Sequence, residues 1–166
     1  MNNSKEKLNR SIRWILALFM IGLVLSGFTA LPIEWQLQLA HDKIKDWDRD
    51  LWLVQWLEFV YQGVKETNMK YPFISYGTDW LAFAHFIIAL VFIGPWRDPI
   101  RNVWVIEFGI LACLFIFPFA LIAGAVRGIP FYWGMIDCSF GIFGGLLLLN
   151  CYYKVKKLQK LQEKII

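Results

Sequence analysis

Charge is scarce in this chain. Asp, Glu, Lys and Arg make up 18% of its 166 residues, where a soluble domain carries about a quarter. Hydrophobic residues reach 58% and aromatic ones 17%, a balance that argues against ordinary water-soluble folding. Cysteine is also rare. Cys113, Cys138 and Cys151 show no Cys-x-x-Cys spacing, so no disulfide framework, zinc site or dithiol chemistry is expected. There are two histidines, and His85 alone falls in an apolar stretch, which excludes a haem held between two intramembrane histidines. No metal and no other cofactor is expected either.

What the chain does have is long apolar runs. They cover residues 14–31, 80–96, 103–126 and 133–152. Each reaches the roughly 17–20 residues that a helix needs to cross a hydrocarbon core about 30 Å thick. None alternates in the manner of a barrel strand. The fold expected is therefore all-α: a polytopic membrane protein with a bundle of four transmembrane helices, forming a single membrane domain over 1–166. A basic leader (Lys5, Lys7, Arg10, Arg13) precedes the first run and resembles the start of a signal peptide. Bulky Phe28 stands two residues before Ala30, where cleavage would want a small side chain, so the run is expected to stay as a helix.

Orientation follows from the basic residues. The leader, the short connection with Arg97 and Arg101, and the tail 153–166 with Lys154, Lys156, Lys157, Lys160 and Lys164 are Lys/Arg-rich, whereas 32–79 holds more acidic than basic residues. The positive-inside rule then puts both termini in the cytoplasm and the 32–79 loop outside, in a plasma or bacterial inner membrane. The net charge of +4 is accounted for by this asymmetry, so nucleic-acid binding is not expected. The Lys-rich tail can touch anionic lipid head groups.

The outer loop has helical order. Leu37, Ala40, Ile44, Trp47, Leu51 and Val54 recur at helical spacing opposite Glu34, Gln38, His41, Lys45 and Asp48, which predicts an amphipathic helix. Beyond Asp50 the apolar face moves to Leu53, Trp56, Leu57, Val60 and Val64. The pattern fits one long bent helix, or two joined at the charged run 46–50. Its tryptophans fit a helix on the membrane surface as well as a cap with its own hydrophobic seam. Thr78 or Asp79 is expected to cap the second spanning helix, and Asp98 with Pro99 to start the third.

Ionisable residues inside the runs are costly in lipid, at least about 2.5–3.5 kcal/mol for a charge on insertion scales. His85, Glu107 and Asp137 are such residues. On this topology His85 and Asp137 sit at similar depth from the outer side, with Asp79 and Arg127 near them, so Asp79, His85, Arg127 and Asp137 are candidate ligand-binding residues. Gly141, Gly144 and Gly145 lie below Asp137 and let helices approach, which turns Asp137 toward a neighbouring helix. Glu107 is a possible proton or ion site, or a partner of Arg97 or Arg101.

Three functions fit these residues. The first is a protein that binds or carries a lipid-like or other apolar ligand, with the outer polar cluster orienting its polar end. The second is a small membrane enzyme of the proton-transfer isomerase or hydrolase type acting on an apolar substrate. The third is an accessory subunit of a larger membrane complex. Expected partners are membrane lipids, an apolar small molecule, and another membrane protein or a second copy of the chain.

Overall fold

The computed structural model describes residues 2–44 and 46–163. Lys45 of the polar stripe and Lys164 of the tail lie outside them. Of the described residues 87% are helical, and none is in a strand. Its helices are α1 (Asn2–Phe28), α2 (Ile33–Ile44), α3 (Trp52–Lys70), α4 (Tyr76–Val91), α5 (Ile93–Arg97), α6 (Val103–Arg127) and α7 (Phe131–Glu163). Four helical stretches are long and apolar enough to cross a membrane: Ser4–Phe28, Pro72–Arg97, Val103–Arg127 and Phe131–Glu163. They contain the second, third and fourth apolar runs and the first as far as residue 28. The basic leader begins α1, and the lysine tail is a direct continuation of α7.

Breaks fall where local chemistry demands them. α1 stops short of Pro32, which disfavours helical backbone in the residue before it. Gln36 then donates its amide to the carbonyls of Phe28 (2.6 Å) and Leu31 (2.8 Å), satisfying acceptors that a helix end leaves open. Between α2 and α3 the charged run turns, with the Asp50 N–H donating to the Asp48 carboxylate at 3.0 Å. The loop thus holds two helices, and the periodicity through Trp47 and Leu51 is not helical packing: both are exposed.

Two capping expectations need correction. α4 starts at Tyr76, ahead of both predicted caps, and it is the Ser75 carbonyl that receives the Thr78 hydroxyl (2.7 Å) and the Asp79 N–H (3.3 Å). Asp79 lies in the first turn, where the helix dipole favours an anion. Asp98 caps a separate turn, accepting the Arg101 N–H at 3.1 Å, and α6 begins only after Asn102. The second apolar run is also divided. Pro95 has no N–H to bond the carbonyl four residues back, and the helix is interrupted at Phe92.

The described chain forms two compact units, one made of the residues up to Ile21 together with those from Ala89 onward, the other of Gly22–Ile88. In the first, Ile12, Leu16, Phe92, Ile106, Leu148 and Val155 are completely or almost completely buried. α6 and α7 approach closely through glycines. A Cβ on Gly141 would lie 2.8 Å from the Cys113 carbonyl oxygen, and one on Gly109 would lie 2.6 Å from Leu148 Cδ1. α6 ends in a left-handed Gly128 (φ +67°), with the Ile129 N–H returning to the Gly124 carbonyl at 2.9 Å, the closure that glycine permits. In the second unit α2 packs on α3 around Ile44, Val54 and Tyr61, and Gly27 of α1 meets Phe86 and the Ala82 carbonyl of α4. Large apolar side chains such as Trp14, Phe119, Val126 and Phe143 are exposed.

Candidate functional site

Polar side chains converge most fully in the second unit, where α2, the end of α3 and the start of α4 meet. Asn68 of α3 donates its amide to the Glu34 carboxylate of α2, and the Ser75 hydroxyl donates to the Asn68 carbonyl oxygen. All three side chains are half-buried. The sequence brings them together by ending α3 at Lys70, just before Pro72, and folding Pro72–Ile74 into one 3-10 turn. That turn returns Ser75 to the last turn of α3, 7 residues from Asn68.

This relay lines a groove of about 450 Å³ whose walls also include Pro32, Ile33, Met69, Pro72 and Asp79. A second groove of about 390 Å³ shares Ile33, Ser75 and Thr78 with it and is otherwise walled by Phe59, Val60, Gly63, Val64, Thr67 and Ile74. One groove carries two carboxylates and an amide, and the other is almost wholly apolar. They meet at common walls where the Pro72–Arg97 span begins. The exposed Phe73, Tyr76 and Trp80 surround that start.

A separate polar pair lies higher on the α2–α3 hairpin. His41 Nε2 is 2.6 Å from Glu58 Oε2, and the imidazole stacks on buried Tyr61 with centroids 4.7 Å apart. Beside it is a cleft of about 380 Å³ lined by Ile44, Arg49, Val54 and Gln55. The Gln62 amide donates to Glu58 at 2.9 Å and, with His41 and Arg49, holds its carboxyl below the usual carboxylate range against the opposing effect of burial. The sequence hid this pair because His41 and Glu58 are on different helices and become neighbours only once the hairpin closes.

The residues singled out from sequence are distributed as follows. Asp79 lines the polar groove. His85, on the same helix, is about 9 Å further along and about 120° around, and its Nδ1 donates to the Leu81 carbonyl at 2.8 Å, a bond within its own helix. Arg127 is exposed at the end of α6, beside an apolar groove of about 400 Å³ formed around Pro118 and Phe119. Asp137 is exposed on α7 at the flank of the face formed by buried Gly134, Cys138 and Gly141, so Gly141 meets α6 while the carboxylate stays outside that contact. Glu107 is exposed and makes no ion pair with Arg97 or Arg101. Among the described residues no group of three or more His, Cys, Asp or Glu is placed to hold a metal ion. Sequence reasoning missed Glu34, Asn68 and Ser75. A signal existed for one of them, since Asn68 stands one helical turn before Pro72, near the predicted return to the membrane.

The chain matches no family model, no curated protein and no solved structure.

Proposed function

We propose that this is an integral membrane protein that binds an amphiphilic, lipid-like ligand at the outer membrane boundary, with both termini cytoplasmic and the α2–α3 hairpin outside. The observation that carries the reading is the adjacency of a polar and an apolar groove across the shared walls Ile33, Ser75 and Thr78. A ligand with a polar head and an apolar body needs that division of surface: few, fixed polar groups for orientation and a larger hydrophobic wall for affinity. The relay from Ser75 through Asn68 holds the Glu34 carboxylate in place before a ligand arrives, which lowers the ordering cost of binding. Asp79 supplies the second polar contact.

The test is lipid and small-molecule mass spectrometry on protein purified in mild detergent. Wild type is expected to retain an amphiphile that Ile33→Trp, which fills the shared wall, and Asn68→Ala both deplete by at least about tenfold. Retention unchanged in both variants refutes the reading. Thiol labelling of single cysteines placed at Gln38 and Gln159, from outside intact cells, tests the orientation, with labelling expected at position 38 alone.

A second reading, a membrane enzyme working by proton transfer, draws on the His41–Glu58 pair beside its cleft, since a carboxylate can orient a histidine for acid–base work. Turnover of an apolar ester or alkene that survives in His41→Gln eliminates it.

A further inference from the structure

We infer that the cytoplasmic end of the first unit carries a built binding site for an anionic phospholipid head group, centred on Lys154, Ser11 and Arg10. It is distinct from the grooves of the second unit and does not depend on them. Residues 2–13, 97–101 and 154–160 together hold ten Lys and Arg against the acidic Glu6 and Asp98. Among the described residues none of these cations lies within 4.0 Å of a carboxylate, the ion pairs present being those of His41. A cation excess of this size that no carboxylate of the described residues neutralises attracts anions from outside.

The geometry narrows that attraction to one place. α1 and α7 meet at Phe19, whose Cε2 would lie 3.2 Å from a Cβ on Gly144, and at Ser11, while Ile12 and Leu16 of α1 and Cys151, Val155 and Leu158 of α7 are buried. Beside this seam Lys154 is half-buried, and its ammonium donates to the Ser11 hydroxyl at 2.6 Å. That bond fixes the ammonium, leaving it two N–H donors, and leaves the hydroxyl free to donate its own proton. On the neighbouring exposed strip of α1, Lys7, Arg10 and Trp14 follow at helical spacing. A fixed ammonium, a hydroxyl donor and a guanidinium beside it form the donor set that a phosphate oxygen cluster accepts from.

Position selects a lipid over a free anion. Trp14 is 71% exposed, Trp104 is 60% exposed and Tyr153 is 69% exposed, and Trp96 lies under the Arg13 guanidinium at 5.4 Å. Aromatic side chains on α1, α5, α6 and α7 therefore mark the membrane–water boundary at this end. Arg10 is one turn beyond Trp14, at head-group level, with the acyl chains continuing along the apolar α1 surface formed by Leu18 and Ile21.

The experiment is native mass spectrometry and thermal melting of the full-length protein in mild detergent, titrated with phosphatidylglycerol or with phosphatidylcholine of the same chains. Wild type is expected to prefer phosphatidylglycerol, and Arg10→Gln with Lys154→Gln to lose about 25-fold of that preference, near fivefold per cation at a membrane surface. Lys157→Gln with Lys160→Gln, which removes the same charge further along α7, is expected to retain it. Equal loss in the second pair overturns the local site in favour of diffuse attraction, and no preference in wild type overturns the proposal outright. Melting raised equally by inorganic phosphate replaces the lipid with a free anion and also overturns it. Should the first pair fail to fold, wild type in 0.5 M salt decides: a preference that does not fall under screening of the head-group contact contradicts the site.

Discussion

Substituting Gly141 by alanine tests a helix contact in which the obstructing atom is backbone, and its magnitude can be worked from the structure. The added Cβ would stand 2.8 Å from the Cys113 carbonyl oxygen and 3.4 Å from Ile116 Cβ. A carbon–oxygen contact settles at about 3.3–3.6 Å, so α6 and α7 must separate locally by about half an ångström or more. The obstructing atom is backbone, which cannot swing aside as a side chain does. Overpacking of this kind costs about 1–3 kcal/mol. Alanine returns up to about 1 kcal/mol by its better helix propensity, so the net loss is about 1 kcal/mol and at most about 2. Gly134→Ala provides the internal control. Gly134 is buried in the same helix, yet a Cβ there would meet no atom within 4 Å. Both variants gain the same propensity, so the difference between them isolates the steric cost at about 1–3 kcal/mol. The assay is equilibrium unfolding by SDS titration from mild-detergent micelles, followed by the fluorescence of the nine tryptophans. Equal stability of the two variants would refute the packing deduced for α6 and α7.

Three further outcomes are expected. Asn68→Ala removes both the donor to Glu34 and the acceptor of Ser75, at about 1 kcal/mol for each half-buried hydrogen bond. Hydrogen exchange at the start of α2 and the end of α3 should quicken, while exchange in α6 stays unchanged. Glu58 has its carboxyl held low by Gln62 and His41, so its contribution to hairpin stability is present above the free glutamate value of about 4.3 and is lost as pH falls through its lower folded value. Protection factors for amide exchange in residues 33–44, taken relative to the intrinsic rate at each pH, should therefore fall on acidification, and Gln62→Ala should flatten that dependence. Gly128→Ala forces a Cβ into left-handed backbone (φ +67°) and should lower stability by about 1 kcal/mol, read in the same SDS titration. A neutral result there would mean that the α6–α7 connection does not hold the glycine conformation.

The helices were legible because lipid imposes a length rule on apolar runs, and each run from 14–31 to 133–152 lies within or nearly within a helical stretch. Their ends were not, since hydropathy marks the part of a helix matched to lipid and not the helix itself. Val155 and Leu158 are buried although they stand among lysines. The break at Phe92 was marked by Pro95, and the turn between α2 and α3 by the charges of 46–50. At the site, Asp79 could be noticed because a carboxylate beside an apolar run is conspicuous. Glu34 and Asn68 could not, because they are separated by 34 residues and each alone reads as an ordinary solvated residue on a helix face. His85 was conspicuous for the same reason as Asp79, yet its Nδ1–H is engaged by the Leu81 carbonyl one turn back.

α7 runs for 33 residues from Phe131 to Glu163 without interruption, about 50 Å at helical rise. A rod of that length has no joint at which to absorb motion, unlike the chain at Phe92. If its Phe131 end pivots by ten degrees, the far end travels about 9 Å, and Lys154 and Lys160 are carried with it. A displacement at the turn around Pro130 is thereby passed to the lysine-bearing end through one helix, with no relay of side chains between separate elements.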